Sequence, residues 1–340
     1  MLVCVSGGVV VRRAKAALLC WAVLAMSVAG LSGCTVESVD AVGGSEPAAS
    51  AEAGAAQARV MVTTDFGSHV LLDELVSLDG DTTSMDALKS VAEVGTAYGG
   101  GFVQSINGLG EAREGRTDWF YAVNGILANR GAADHVLRDG DVEHWDYRMW
   151  GFRRNVSATL GCYPAFLLNG YGGTVRPTAV VYEAGYESDA SRIVAELESL
   201  GVAGVGSVDM LSLSDEWKQE RNLIIIAGPE ADLVREVYSR WDRLGLFTLL
   251  DEGGAHVYTR GGDEAATYAE GTGVIDAVQN PWNPSGTGAC ESVALLLSGT
   301  DEDGVCAAVE ALLDSDGAMM TWCGAVVRDG TAVPSPVAAA

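Results

Sequence analysis

The sequence predicts two ordered domains of different class. Residues 59–154 read as an α+β domain, and residues 155–334 as an α/β domain with a mixed or mostly parallel sheet. Three observations carry this. Short strands with alternating apolar residues surround one amphipathic helix in the first region. Apolar runs alternate with helical stripes in the second, the order that builds parallel pairs. The chain has 340 residues, 48% of them hydrophobic, enough for two cores.

The elements follow in order. Arg12, Arg13 and Lys15 precede an apolar run over residues 16–31, and "LSGC" ends it at Cys34. A basic start, an apolar middle and small residues before a cut site make a secretory signal over residues 1–33. An uncleaved membrane anchor is the alternative, since the run is nearly long enough to span. Residues 34–58 then collapse to Ala, Gly, Ser and Glu, a flexible tether with a reach of roughly 25–30 Å. "RVMVTTDFG" and "HVLLDELVSL" read as strands on either side of Gly67. "TTSMDALKSVAEVGTAY" reads as a helix: Thr83 and Asp86 make a capping-box pattern, Met85, Leu88 and Val91 give its stripe, and Gly99 to Gly101 end it. "FVQSING" and "DWFYAVNG" are strands running into Asn-Gly turns, and "RDGDVEHWDYRMW" adds an Asp-Gly turn and a last strand. Two strands, one helix and several further strands are the signature of a β-grasp-like module.

After Arg154, "PTAVVYEAG" is a strand and "SDASRIVAELESLGV" a helix with Ile193, Leu197 and Leu200 on one face. "NLIIIAGP" is a continuous apolar run, the mark of a strand buried on both faces. Pro229 opens a helix through "EADLVREVYSRWDRLGLF", with Leu233, Val237, Trp241 and Leu244 inward. "TGVIDAVQN" and "SVALLLSG" are strands, "TDEDGVCAAVEALLDS" is a helix, and "MMTWCGAVV" is the closing strand. Residues 335–340 read as a disordered tail.

Composition excludes some functions. The net charge is -25, with 46 acidic and 21 basic residues. Nucleic-acid binding needs clustered Lys and Arg against phosphate, so it is excluded. No later stretch is long and apolar enough to span, which excludes a permease. No phosphate-binding loop, metalloprotease helix or nucleophile elbow occurs, and the four His are not spaced as a metal pair. The chain is read as a non-enzyme without cofactor or metal. "GTDEDG" and "LDGDTTSMD" place carboxylates beside Gly, and helix caps explain them better than calcium. Cys162, Cys290, Cys306 and Cys323 could form disulfides in three pairings or remain buried thiols.

Two stretches are candidates for ligand contact. In "DWFYAVNG", Trp119, Tyr121 and Val123 share one strand face; with Tyr98, Asn107, Asn124 and Trp145 they could present an exposed platform of rings and amides. The other reading is core packing plus turn chemistry. In "QNPWNPSGTGACES", Asn280, Trp282 and Asn283 lie in a rigid loop after an apolar strand, and strand carboxyl ends of α/β sheets are where ligands sit. The other reading there is a Trp that plugs the core.

The stretches "TDFGSHVLLDE", "TSMDALK", "YGGGFVQSINGL" and "DWFYAVNGILANRGAADHVLRDGDVEHWDY" together resemble the bacterial family related to the C-terminal β-domain of transcobalamin and intrinsic factor, in the soluble-ligand-binding branch of the β-grasp fold. The likeness covers residues 59–150. It implies a corrinoid, or a comparable soluble ligand, captured for a separate transporter. Nothing resembles the helical barrel that grips the other face of cobalamin in the animal proteins. The "LSGC" ending resembles the lipobox of bacterial lipoproteins, which implies lipidation at Cys34 and an extracytoplasmic chain held to the membrane or cell surface. The second half looks like the segment that often follows this module in exported bacterial proteins, and is similar to domains of S-layer and surface proteins. The alternative function is surface adhesion to glycan or protein.

Overall fold

A computed structural model describes residues 55–110, 115–315 and 317–338. The signal segment, Cys34 and the tether up to residue 54 lie outside them. Among the described residues no helix is long and apolar enough to cross a membrane.

The N-terminal domain comprises β1 (Gln57–Thr64), β2 (His69–Ser77), α1 (Ser84–Val91), β3 (Val94–Ala97), β4 (Phe102–Ile106), β5 (Thr117–Val123), β6 (Ile126–Leu127) and β7 (Val142–Met149). Five strands form one mixed sheet in the order β2-β1-β7-β5-β6, and only its central pair, β1 with β7, is parallel. The last strand therefore returns beside the first, and α1 packs over one face: the β-grasp-like order. β1 starts two residues earlier than the tether boundary implies, because Ala58 is part of the core.

Alternation gives the sheet two buried faces. Val60, Val62, Trp119, Val123 and Trp145 join Met85 and Leu88 of α1 in one core. On the other face Met61 packs against Cys162 and Ala165 of the C-terminal half. Gly67, at φ +79°, lies so close to that half that a Cβ there would fall 1.8 Å from the Thr321 carbonyl oxygen. No side chain fits, and Thr321 Oγ1 donates to the Gly67 carbonyl at 2.8 Å.

The capping box on α1 is complete. The Asp86 amide donates to Thr83 Oγ1 and the Thr83 amide to Asp86 Oδ2, each at 3.2 Å. Thr83→Ala should lower the unfolding free energy by about 1 kcal/mol in urea titrations. The helix is shorter than its pattern implies. It stops at Val91, and residues 94–97 form β3 against β4. Asn107 Oδ1 accepts the Glu93 amide at 2.8 Å, fixing the chain in the extended form where another helical turn would have followed.

The C-terminal half comprises α2 (Ala165–Leu168), β8 (Thr178–Tyr182), α3 (Glu187–Ser199), β9 (Val205–Asp209), α4 (Asp215–Glu220), β10 (Asn222–Ile226), α5 (Asp232–Tyr238), α6 (Trp241–Leu244), β11 (Thr248–Asp251), β12 (Gly254–Tyr258), β13 (Glu264–Tyr268), β14 (Gly273–Gln279), β15 (Val293–Gly299), α7 (Glu302–Leu313), β16 (Gly324–Arg328) and β17 (Thr331–Ser335). Seven strands form a mixed sheet in the order β17-β16-β14-β15-β10-β8-β9. The strands β15, β10, β8 and β9 are mutually parallel, while β14, β16 and β17 pair antiparallel. Residues 223–226 are fully buried, as their unbroken apolar run predicts, and so are residues 295–297. Helices α3 and α7 extend the first core over one face; α5, α6 and the small sheet β11-β12-β13 build a second core over the other.

Four details differ from the sequence reading. The helix after Pro229 is two helices, α5 and α6, separated at residues 239–240. Leu200 caps α3 and is exposed. The hairpin sheet over residues 248–268 was not expected. The tail begins late, since Ser335 is buried in β17 and the Val337 amide donates to the Tyr258 carbonyl. Cys162, Cys290 and Cys323 are buried free thiols. The acidic turns act as caps: Asp301 Oδ1 accepts the Gly304 amide at 2.9 Å.

Candidate functional site

The four rings expected on an exposed face do not share one. Trp119 and Trp145 are buried beneath α1. Tyr121 stacks on Trp145 with centroids 4.7 Å apart and planes at 18°. Trp119 tilts against Tyr147 at 5.0 Å, and its Nε1 donates to the Leu109 carbonyl. The polar tips are all engaged: Tyr121 donates to the Arg130 carbonyl and Trp145 Nε1 to Glu143 Oε1. Burial pushes the Glu143 carboxyl well above its ordinary range, against the opposing pull of the bond from Trp145. Tyr98 is the exception among the rings, 85% exposed.

The amides follow the same division. Asn124 is fully buried at φ +53°, with Gly125 at +77°, the pair of left-handed residues an Asn-Gly hairpin turn requires. Its Nδ2 donates to Asp141 Oδ1 at 2.7 Å and to the Gly170 carbonyl at 2.8 Å, and its Oδ1 accepts the Val142 amide at 2.8 Å. Asn107 lies in the second such turn, exposed but tied to Glu93.

The loop between β14 and β15 lies at the opposite end of the sheet from the one expected. β14 runs antiparallel to β15, so its carboxyl end meets the amino ends of the parallel strands. The Val293 amide at the start of β15 donates to Asn222 Oδ1 at the start of β10. Asn280 Nδ2 caps the carbonyls of Lys218 and Arg221, and Asn283 Nδ2 donates to Glu291. Trp282 is half buried against the second core and donates to Glu236. These three residues hold the loop.

A different surface does join the two regions. The tip of the β3–β4 hairpin is Tyr98, Gly99 and Gly100, all in the left-handed region at φ +52°, +75° and +97°. Tyr98 is braced edge-on by Phe102 at 6.1 Å. The next residue, Gly101, approaches the loop at Gly131, where a Cβ would lie 4.0 Å from the Gly101 carbonyl oxygen. Exposed Arg130 covers the ring of Tyr171 at 5.6 Å, and Asn129 Nδ2 donates to the Gly288 carbonyl at 3.2 Å. One strip of surface thus runs from the Tyr98 ring across residues 129–131 to the glycine-rich turn at 286–288. It offers a ring, a guanidinium and backbone polar groups, with little bulk above them.

The sheet face turned to the C-terminal half carries one of two groupings of hydroxyl, imidazole and carboxylate among the described residues; the other, Thr267, His256 and Asp251, lies at the surface of the small sheet. Thr63 Oγ1 lies 2.8 Å from His144 Nε2 and donates to Asp146 Oδ1 at 2.9 Å. Burial lowers the His144 pKa, and with the Thr63 proton directed to Asp146 the ring can meet Thr63 only through an Nε2–H. Asp146 also accepts the Phe66 amide and faces Arg148 at 3.6 Å. The Thr63 proton is committed to Asp146 rather than to the imidazole, the reverse of an activated hydroxyl. The adjoining cavity, about 10 Å³ in volume, has room for one water. The network fixes the bend at residues 65–67.

Residues 81–149, from the start of α1 to the end of β7, match the family described as "Domain of unknown function (DUF4430)". The chain thus carries a DUF4430 domain followed by a second domain built on a mixed sheet. No curated protein matches the chain.

Proposed function

We propose that the chain is an exported, lipid-anchored binding protein that captures a soluble planar ligand of the corrinoid kind on its N-terminal domain and presents it to a separate transporter. The signal-like first 33 residues and Cys34 support the location, and the acidic surface suits a neutral ligand. The observation that carries the reading is Tyr98. Holding a non-glycine residue in the left-handed region costs on the order of 1 kcal/mol, and this ring gains almost no burial in return, at 85% exposure. Strain kept without benefit to the fold marks a contact made with something else. A ring on glycine-flanked backbone stacks on a flat ligand, while Arg130 and the backbone of the strip meet its amide fringe.

Tyr98→Ala should weaken cobalamin binding at least tenfold, followed by corrin absorbance and tryptophan quenching, and change stability by less than about 0.5 kcal/mol. Trp119→Phe should bind as wild type does, because Trp119 lies inside. Equal binding by the Tyr98 variant would remove the assignment. A second reading, adhesion to glycan or protein, is favoured by one observation: the cavity lined by both halves, about 10 Å³, holds no more than a water. A ligand of either kind must lie on open surface. Absence of saturation up to high micromolar cobalamin would favour adhesion.

A further inference from the structure

Among the described residues, the outer edge of the N-terminal sheet is open. β2 pairs with β1 along one side, and no described strand lies along the other. Nine residues of strand expose a row of amides and carbonyls roughly 30 Å long. Edges of this length are usually broken by Lys or Pro or covered; His69–Ser77 has neither residue. Instead Val70, Leu71 and Leu75 are 56%, 55% and 67% exposed.

The register shows how these side chains are arranged. Leu75 lies opposite Arg59, Asp73 opposite Met61 and Val70 opposite Thr63, with an irregularity between Val62 and Thr63 that leaves Leu71 unpaired. Val70, Asp73 and Leu75 therefore share the face whose inner part, at Met61, is covered by Cys162 and Ala165. Under β2 that cover stops. Arg59, Asp73, Glu74 and Leu75 line an open depression of about 490 Å³. Asp73 is paired with Arg59 at 2.6 Å, and Glu74 meets no cation among the described residues.

A second copy of the chain is a poor occupant. Antiparallel self-pairing about the strand centre sets Asp73 against its own copy with both Glu74 side chains nearby, and two chains of net charge -25 repel. Charge and shape together select an occupant with apolar residues for Val70, Leu71 and Leu75 and a cation for Glu74. We propose that β2 docks an extended segment of a partner protein, apolar and basic in alternation, which adds a sixth strand to the N-terminal sheet. Main-chain bonds would supply affinity, and the alternating side chains specificity.

The test is fluorescence anisotropy of the folded chain with a labelled nine-residue peptide alternating Val and Lys. Two control peptides carry Pro at the centre or Glu in place of Lys. Saturable binding that weakens with salt, fails with both controls and drops about tenfold in Glu74→Lys supports the proposal. Amide exchange should slow in residues 69–77 on binding. Lack of saturation near millimolar peptide, or equal binding of the Pro control, would overturn it. Glu74 is exposed, so its substitution leaves the fold intact, which circular dichroism checks.

Discussion

Asn124→Ala should destabilise the protein by about 4 kcal/mol, measured by equilibrium urea unfolding. The reason lies in what the side chain leaves behind. The Val142 amide and the Gly170 carbonyl lose their partners, and the buried Asp141 carboxylate loses the bond to its Oδ1 while Oδ2 keeps the Arg138 amide. Burial raises the Asp141 pKa while the bond from Asn124 opposes the rise, so loss of that bond strips support from a desolvated charge. Each orphaned group costs about 1–3 kcal/mol. Alanine also tolerates the left-handed backbone less well than asparagine. Because Gly170 belongs to the C-terminal half, the variant should also loosen the join between the halves, seen as faster amide exchange over residues 169–171. A loss below about 1 kcal/mol would show that water replaces the amide.

The second large effect is a pH dependence at Asp276. This residue sits in β14, fully buried, accepting bonds from Tyr238 and Thr248. Burial pushes its pKa up to about 6 from the ordinary 3.8, against the opposing pull of those two hydroxyls. The folded state therefore holds this proton more tightly than the unfolded state. The stabilisation it gives is complete below about pH 4, fades between 4 and 6, and is gone above, a swing of about 3 kcal/mol. Asp276→Asn keeps an oxygen for both hydroxyls and has no charge to desolvate. The difference in unfolding free energy between variant and wild type should move about 3 kcal/mol in favour of the variant from pH 4 to pH 7. Taking the difference cancels the other titrating groups. A pH-independent difference would mean that Asp276 titrates at its ordinary value in the fold.

The residues that declared themselves in the sequence are those whose neighbours in the chain decide their role. Thr83 and Asp86 form the predicted capping box. Asn107-Gly108 and Asn124-Gly125 make the predicted turns, and the run in β10 reads correctly as buried on both faces. Other features depend on partners distant in sequence. Alternation in "DWFYAVNG" separates two faces without saying that α1 covers one and the C-terminal half covers the other, so the rings could be read as exposed. The loop after Gln279 could be placed at a ligand-binding end only by assuming that β14 is parallel. Strand direction is set by pairing with β15 and β16, which no local pattern encodes. The hairpin over residues 248–268 does carry a local signal, Gly253-Gly254 between two apolar stretches.

Tyr98 ends a stretch whose apolar spacing reads as helix through residue 98, which hides its setting. Only the pairing of β3 with β4 converts residues 94–97 to strand and lifts the tyrosine to a hairpin tip. The three glycines that follow were legible as a helix stop. Their other consequence, left-handed backbone at Gly99 and Gly100 that keeps the tip free of bulk, needed the structure.

The surface strip that begins at Tyr98 is the centre of the proposed function, and amide hydrogen exchange with and without saturating cobalamin tests it most directly. Protection confined to residues 97–102 and 129–131, absent in Tyr98→Ala, is the result this account predicts. Unchanged exchange across the N-terminal domain, or protection elsewhere with none at the hairpin tip, would contradict it.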